Sequence, residues 1–168
     1  NPSPQRIIPR CKHFTSCGGC HYQHMTYSMQ LAAKQEILRD QLTRIGKIES
    51  PPVKPVVPSP AEWNYLNHVQ FHLSNEGKLA YMRAREGILP ISECHLPEPA
   101  INLLWPQLVF EPGTPIDRIA IRRGEEDDLL LALESESDTP PEVEIEADIS
   151  VVHLDGDEAV VLAGDNHL

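Results

Sequence analysis

After Arg123 the chain contains no lysine or arginine, while residues 124–168 carry fifteen aspartates and glutamates. That third cannot meet a polyanion; it turns to solvent or to a basic partner. Also missing are a charged-then-apolar leader and any apolar run long enough to span a bilayer. These absences predict a soluble, cytoplasmic chain with no membrane partner, whose thiols stay reduced. No initiator methionine is present, and the abrupt start at NPSPQR and end at GDNHL predict a piece of something longer. No internal repeat or heptad pattern occurs. No glycine-rich turn joins a buried strand to a helix, which excludes the usual cradle for a nucleotide-like cofactor. Cysteine is scarce, with only Cys11, Cys17, Cys20 and Cys94.

What is present is enough for a real core. With 168 residues, 40% of them apolar, the chain needs no disulfide staples. The net charge of -11 hides a gradient: residues 1–50 carry seven basic and three acidic side chains, and residues 51–123 carry seven of each. A polyanion is therefore met by the N-terminal part, with Arg83, Arg85, Arg118, Arg122 and Arg123 as the other available cations.

Residues 1–49 read as an extended lead-in, a cysteine-rich loop and a helix. In TYSMQLAAKQEILRDQLTRIG, Thr26 or Ser28 serves as cap, Leu31, Leu38, Leu42 and Ile45 share a face, and Gly46 is the stop. Residues 50–60, SPPVKPVVPSP, hold five prolines and form an extended connector. In residues 61–168, Val69, Phe71 and Leu73 alternate with polar residues as in a half-buried strand. NEGK supplies a turn and LAYMRA returns as the hairpin partner. PAINLLWPQLVF predicts a short helix disturbed at Pro106. IDRIAIRR, DLLLALES, VEIEADISVVHL and EAVVLAG read as strands divided by RGEED, SDTPPE and DGDE. The predicted class is α+β, mainly antiparallel hairpins with an N-terminal helix and a cysteine-rich loop.

The cysteines are spaced C-x5-C-x2-C, with seventy-three residues more before Cys94. A pair of disulfides fits poorly with a two-residue gap and no mark of secretion. Structural zinc on four thiolates is open, although such sites usually come as two short CxxC knuckles. A 4Fe-4S cluster accepts three clustered ligands and one remote ligand more readily. Gly18 and Gly19 let the loop turn tightly and aim N–H groups at anionic sulfur. Inert or catalytic thiols remain a further alternative. His13, His21 and His24 offer extra ligands, but with four cysteines available they read as surface or hydrogen-bonding groups.

The stretch PSPQRIIPRCKHFTSCGGCHYQHMTYSMQLAAKQEILRDQLTRIG closely resembles the iron-sulfur segment of the S-adenosylmethionine-dependent RNA uracil-5-methyltransferases. Their CxxxxxCGGCxxQH segment is followed by Tyr, Gln-Leu and Lys, here Tyr27, Gln30, Leu31 and Lys34. SPAEWNYLNHVQFHL followed by LAYMRAREGILPISECHL resembles the family's hairpin ending at the fourth cysteine ligand. The likeness is strong over residues 3–98. It implies a 4Fe-4S cluster on Cys11, Cys17, Cys20 and Cys94, within an RNA-binding central domain that adjoins a TRAM domain and a methyltransferase domain, both absent here. Two departures stand out. The family's Tyr-Arg-Asn is Tyr65-Leu66-Asn67, which removes a basic side chain and leaves His68 and His72 as weaker, pH-dependent contacts. The usual Gly before the aromatic of the return strand is Ala80 before Tyr81.

The family methylates C5 of uridine in structured ribosomal or transfer RNA by adding a cysteine thiolate to C6, with an acidic residue as base and S-adenosylmethionine as donor. By that resemblance all four cysteines belong to the cluster and no fifth remains, so the parent is an enzyme while this chain alone is silent. Its expected job is recognition of unpaired, unstacked RNA. Arg6, Arg10, Lys12 and Lys34 are candidate phosphate contacts, joined on the helix by Arg39 and Arg44. Phe14, Tyr22 and Tyr27 are candidate stacking surfaces, and Gln23 and His24 candidate substrate contacts. The rival classes are a zinc-stabilised interaction module and a ferredoxin-like electron carrier.

Overall fold

In a computed structural model of the chain, residues 3–124, 128–137, 149–156 and 158–164 are described. Helix α1 spans Tyr27–Arg44. Strands β1 (His68–Leu73), β2 (Leu79–Met82) and β3 (Ile88–Pro90) follow the proline-rich connector. Helix α2 (Pro99–Leu104) runs into a 3-10 turn at Trp105–Gln107, as Pro106 dictates. Strands β4 (Arg118–Arg123), β5 (Leu129–Glu134), β6 (Ser150–Asp155) and β7 (Glu158–Ala163) complete the set. The strands form one sheet in the order β3-β2-β1-β4-β5-β6-β7.

The α+β class holds, but the sheet is mixed. Five of its neighbouring pairs are antiparallel, whereas β5 and β6 run parallel, with Leu131 beside Val151 and Leu133 beside His153. Alternating hydrophobicity identifies a strand without revealing the direction of its partner. The predicted strand over VEIEADISVVHL is realised at Ser150–Asp155; its residues 143–148, the turn SDTPPE from residue 138 and the final DNHL lie outside the described residues.

The core follows from register. Val69 and Phe71 of β1 stand opposite Ile121 and Ile119 of β4, which stand opposite Leu131 and Leu133 of β5. All six are buried. They share a face because side chains two apart on a strand point the same way. Ile101, Leu104 and Trp105 cover them from α2 and the turn that follows. Phe71 stacks on Tyr81, with centroids 4.9 Å apart, and leans on Trp105 at 5.6 Å. At the NEGK turn, Gly77 has φ +75°, and a Cβ there would sit 2.0 Å from the Phe110 carbonyl oxygen, so only glycine closes this hairpin. The return path holds a third strand, β3, that periodicity does not reveal: it is three residues long and ends in a proline at the sheet edge.

Thr26 caps α1 by accepting from the Met29 N–H. Gly46 is not the left-handed residue that ends the helix; Lys47 is, at φ 56°. Gly46 is small because a Cβ would lie 2.7 Å from the Leu42 carbonyl oxygen. The expected apolar face is not buried: no residue of α1 is, and Leu38 and Ile45 are 47% and 76% exposed. Arg39 pairs with Glu36, and Arg44 with Asp40 at 2.7 Å, so these cations are engaged along the helix. No helix among the described residues is long and apolar enough to cross a membrane.

Candidate metal centre

The four cysteines line one cavity of about 920 Å³. Three come from the loop before α1 and the fourth from the segment after β3, and backbone pairing brings the two together. Cys17 bridges Arg83 as a short antiparallel extension of β2. On either side, the Gly18 N–H donates to the Met82 carbonyl at 2.9 Å, and the Ala84 N–H to Ser16 at 3.0 Å. Gly18 needs its missing side chain for this approach rather than for an unusual φ, since a Cβ would stand 3.1 Å from the Arg83 oxygen. The left-handed residue of the loop is Thr15, φ 76°. On the other side, the Lys12 N–H donates to Glu93 at 2.8 Å, and the His13 ring accepts from the Ser92 N–H at 3.2 Å. The segment holding Cys94 is strapped in turn to residues 64–66, whose N–H groups donate to His95 and Leu96.

Each sulfur is met by a donor. The N–H of His13 faces the Cys11 sulfur, and the Gly19 N–H faces Cys17 Sγ at 3.4 Å. The N–H of Leu96 and the Tyr81 hydroxyl face Cys94. The Gln23 side chain faces Cys20 while its Oε1 accepts from the Cys11 N–H at 3.0 Å, which joins the two ends of the loop. Three of the four sulfurs thus face a backbone N–H two residues further along. Such donors favour thiolate over thiol.

Burial works the other way and dominates. It pushes the Cys11, Cys20 and Cys94 thiols up from the ordinary 9.0, and it pushes the Tyr81 hydroxyl well up as well. Without metal the three thiols are therefore protonated at neutral pH, and a bound cation must displace their protons.

Among the described residues, no three His, Cys, Asp or Glu side chains converge closely enough to hold a single metal ion.

The other predicted contacts divide between two places. Arg6, Phe14, Gln23 and His24 line the cysteine cavity, and the Phe14 and His24 rings lie 5.7 Å apart. Gln23 is buried and occupied with the loop. Tyr22 and Lys34 line a second cavity, of about 410 Å³, which also borders Cys20 and Gln23. Lys12 is paired with Glu93 at 4.0 Å, and the Arg10 guanidinium lies 5.2 Å above the Trp63 ring. Burial first, and Arg122 second, hold the His68 pKa down, and its Nε2 is buried without a hydrogen-bond partner among the described residues. Arg118 and Arg123 pair with Glu134 and Glu98. Sequence reasoning misses Glu93, which anchors the loop beside the fourth cysteine, and Trp63. Their only sequence signals are adjacency to Cys94 and a two-residue step from Tyr65.

No protein-family model matches the chain. It is similar, however, to proteins named uncharacterized RNA methyltransferase. The one from Aquifex aeolicus is 37% identical over 106 residues, which are 63% of this chain and 25% of that protein. The one from Thermosynechococcus vestitus is 30% identical over 129 residues, 67% of this chain and 29% of that protein. The one from Porphyromonas gingivalis is 43% identical over 76 residues, 45% and 16% of the two. This chain is thus similar to proteins named RNA methyltransferases and spans between 16% and 29% of the length of these three. More particularly, it shares its fold with the Pyrococcus abyssi tRNA (uracil-54, C5)-methyltransferase, solved in complex with S-adenosyl-L-homocysteine. The TM-score is 0.57 at 16% identity, covering 91% of this chain and 38% of that one.

Proposed function

We propose that this chain is the RNA-recognition part of a cytoplasmic enzyme that methylates C5 of uridine in structured ribosomal or transfer RNA. In this reading a 4Fe-4S cluster rests on Cys11, Cys17, Cys20 and Cys94. The observation that carries the cluster is the ring of four thiols about one cavity, each sulfur facing a hydrogen-bond donor. Those donors stabilise the thiolate, which is the form that binds metal, over the thiol. Three clustered ligands with one remote ligand favour a 4Fe-4S core over one zinc ion.

The cluster's role is a fastening. It ties the N-terminal loop to the Cys94 segment, and the chain's own residues then offer cations and aromatic rings to RNA. The methyl transfer, with S-adenosylmethionine as donor, belongs to a methyltransferase domain of the parent, beside a TRAM domain. All four cysteines here being ligands, the nucleophile for uracil C6 lies in that other domain, and this chain alone is inactive. The names of the relatives and of the fold neighbour support this assignment.

Anaerobic purification tests it. The expected chain is brown, with about four irons, and binds single-stranded RNA weakly and with strong salt dependence. A colourless chain with one zinc would instead establish the zinc-stabilised module. A brown chain indifferent to RNA at low salt would establish the ferredoxin-like carrier.

A further inference from the structure

The second cavity has an unusual lining. The chain has four tyrosines and two tryptophans; Tyr22, Tyr27, Tyr65 and Trp63 all border this one space of about 410 Å³. None of the four is in the core: Tyr65 is 49% exposed and the other three are half-buried. By contrast Tyr81 and Trp105 pack with Phe71 beneath the sheet. Aromatic side chains gathered at a surface and left partly wet lose the burial that normally stabilises them, which marks a surface prepared for another flat group.

The walls are fixed in advance. Tyr27, in the first turn of α1, accepts from the Ser59 N–H at 2.7 Å through its hydroxyl, so the helix is tied to the end of the proline-rich connector. Trp63, three residues beyond the connector, is held from one side by His95, edge-on at 6.0 Å, and from another by the Arg10 guanidinium. Two cations stand by this arrangement, Arg10 over the Trp63 ring and Lys34 on the α1 wall. Glu62 is the one carboxylate in the lining.

We propose that this groove seats an unstacked base of single-stranded RNA, with Arg10 and Lys34 meeting the flanking phosphates. The inference deepens the RNA-recognition reading and rests on it. Base stacking on aromatic rings supplies affinity, and cations alongside the rings fit a base that remains attached to its anionic backbone. The proline-rich connector then has a purpose, which is to hold Trp63 and Ser59 against α1.

Trp63 reports on its own occupancy, because the only other tryptophan, Trp105, is 5% exposed within the core. The experiment is titration of the anaerobically purified, cluster-bearing chain with oligouridylate at low salt, following tryptophan emission and, separately, fluorescence polarisation of a labelled oligouridylate. Emission should be quenched as RNA binds. W63F should bind with little loss and no quenching, since its ring still stacks. Tyr65→Ala and Trp63→Ala should each weaken binding about 5- to 150-fold without loss of iron. RNA bound with unchanged Trp63 emission, or both alanine variants binding like the unaltered chain, overturns the groove and leaves RNA recognition standing elsewhere on the surface. Absence of binding at low salt overturns the RNA reading itself, and the groove with it.

Discussion

Cys94→Ser, purified without oxygen, is expected to carry almost no iron, against about four expected for the unaltered chain under the proposed function. The reason lies in what else holds the loop. Without the cluster, residues 11–24 are attached to the rest by single hydrogen bonds such as Gly18 to Met82, Lys12 to Glu93 and Ser92 to His13. Each contributes about 1 kcal/mol net, against roughly 1–2 kcal/mol of backbone entropy for every residue ordered. The bonds cannot offset the ordering cost alone, so ligand loss becomes loss of folding energy. Rapid hydrogen exchange and proteolysis confined to the loop should accompany the missing iron, while the sheet stays protected. Tyr81→Phe is the companion variant: it removes one hydroxyl from the Cys94 sulfur but leaves the ligand in place, and should keep its iron. Full iron in Cys94→Ser would remove Cys94 from the ligand set.

The sequence made part of this site legible and concealed part, for reasons that differ by residue. The three clustered cysteines and the glycine pair are a local pattern, and local backbone geometry realises them. Gly18 is present for a non-local reason, the carbonyls of Met82 and Arg83 sixty-odd residues away, which no window around the loop contains. The helix is readable from its Thr26 cap and its stop, because capping is local chemistry. Its burial is not, since a repeat of leucines states that a face is apolar and says nothing about what covers it. Leu38 and Ile45 show the difference. The parallel pairing of β5 and β6 is hidden for a similar reason. The groove is hardest to read, because Tyr22, Tyr27, Trp63 and Tyr65 are divided between the two sides of a connector and meet only after it bends back along α1.

Phe71→Ala is expected to cost about 3–5 kcal/mol, the range for removing a fully buried aromatic ring. Phe71 has no exposed surface. Its ring stacks on Tyr81 of β2, leans on Trp105 beyond α2, and sits opposite Ile119 of β4. Truncation leaves a cavity between the sheet and α2 that neighbours held by strand register cannot collapse to fill. It also frees Tyr81, whose hydroxyl faces the Cys94 sulfur, so the loss reaches the metal centre through a single side chain. Denaturant melts should therefore show a lowered midpoint with an unchanged slope, and iron should be released at a lower denaturant concentration than in the unaltered chain. Phe71→Leu keeps much of the volume and should recover most of the stability. A cost for Phe71→Ala below about 1 kcal/mol would mean that the ring does not lie at the centre of the core.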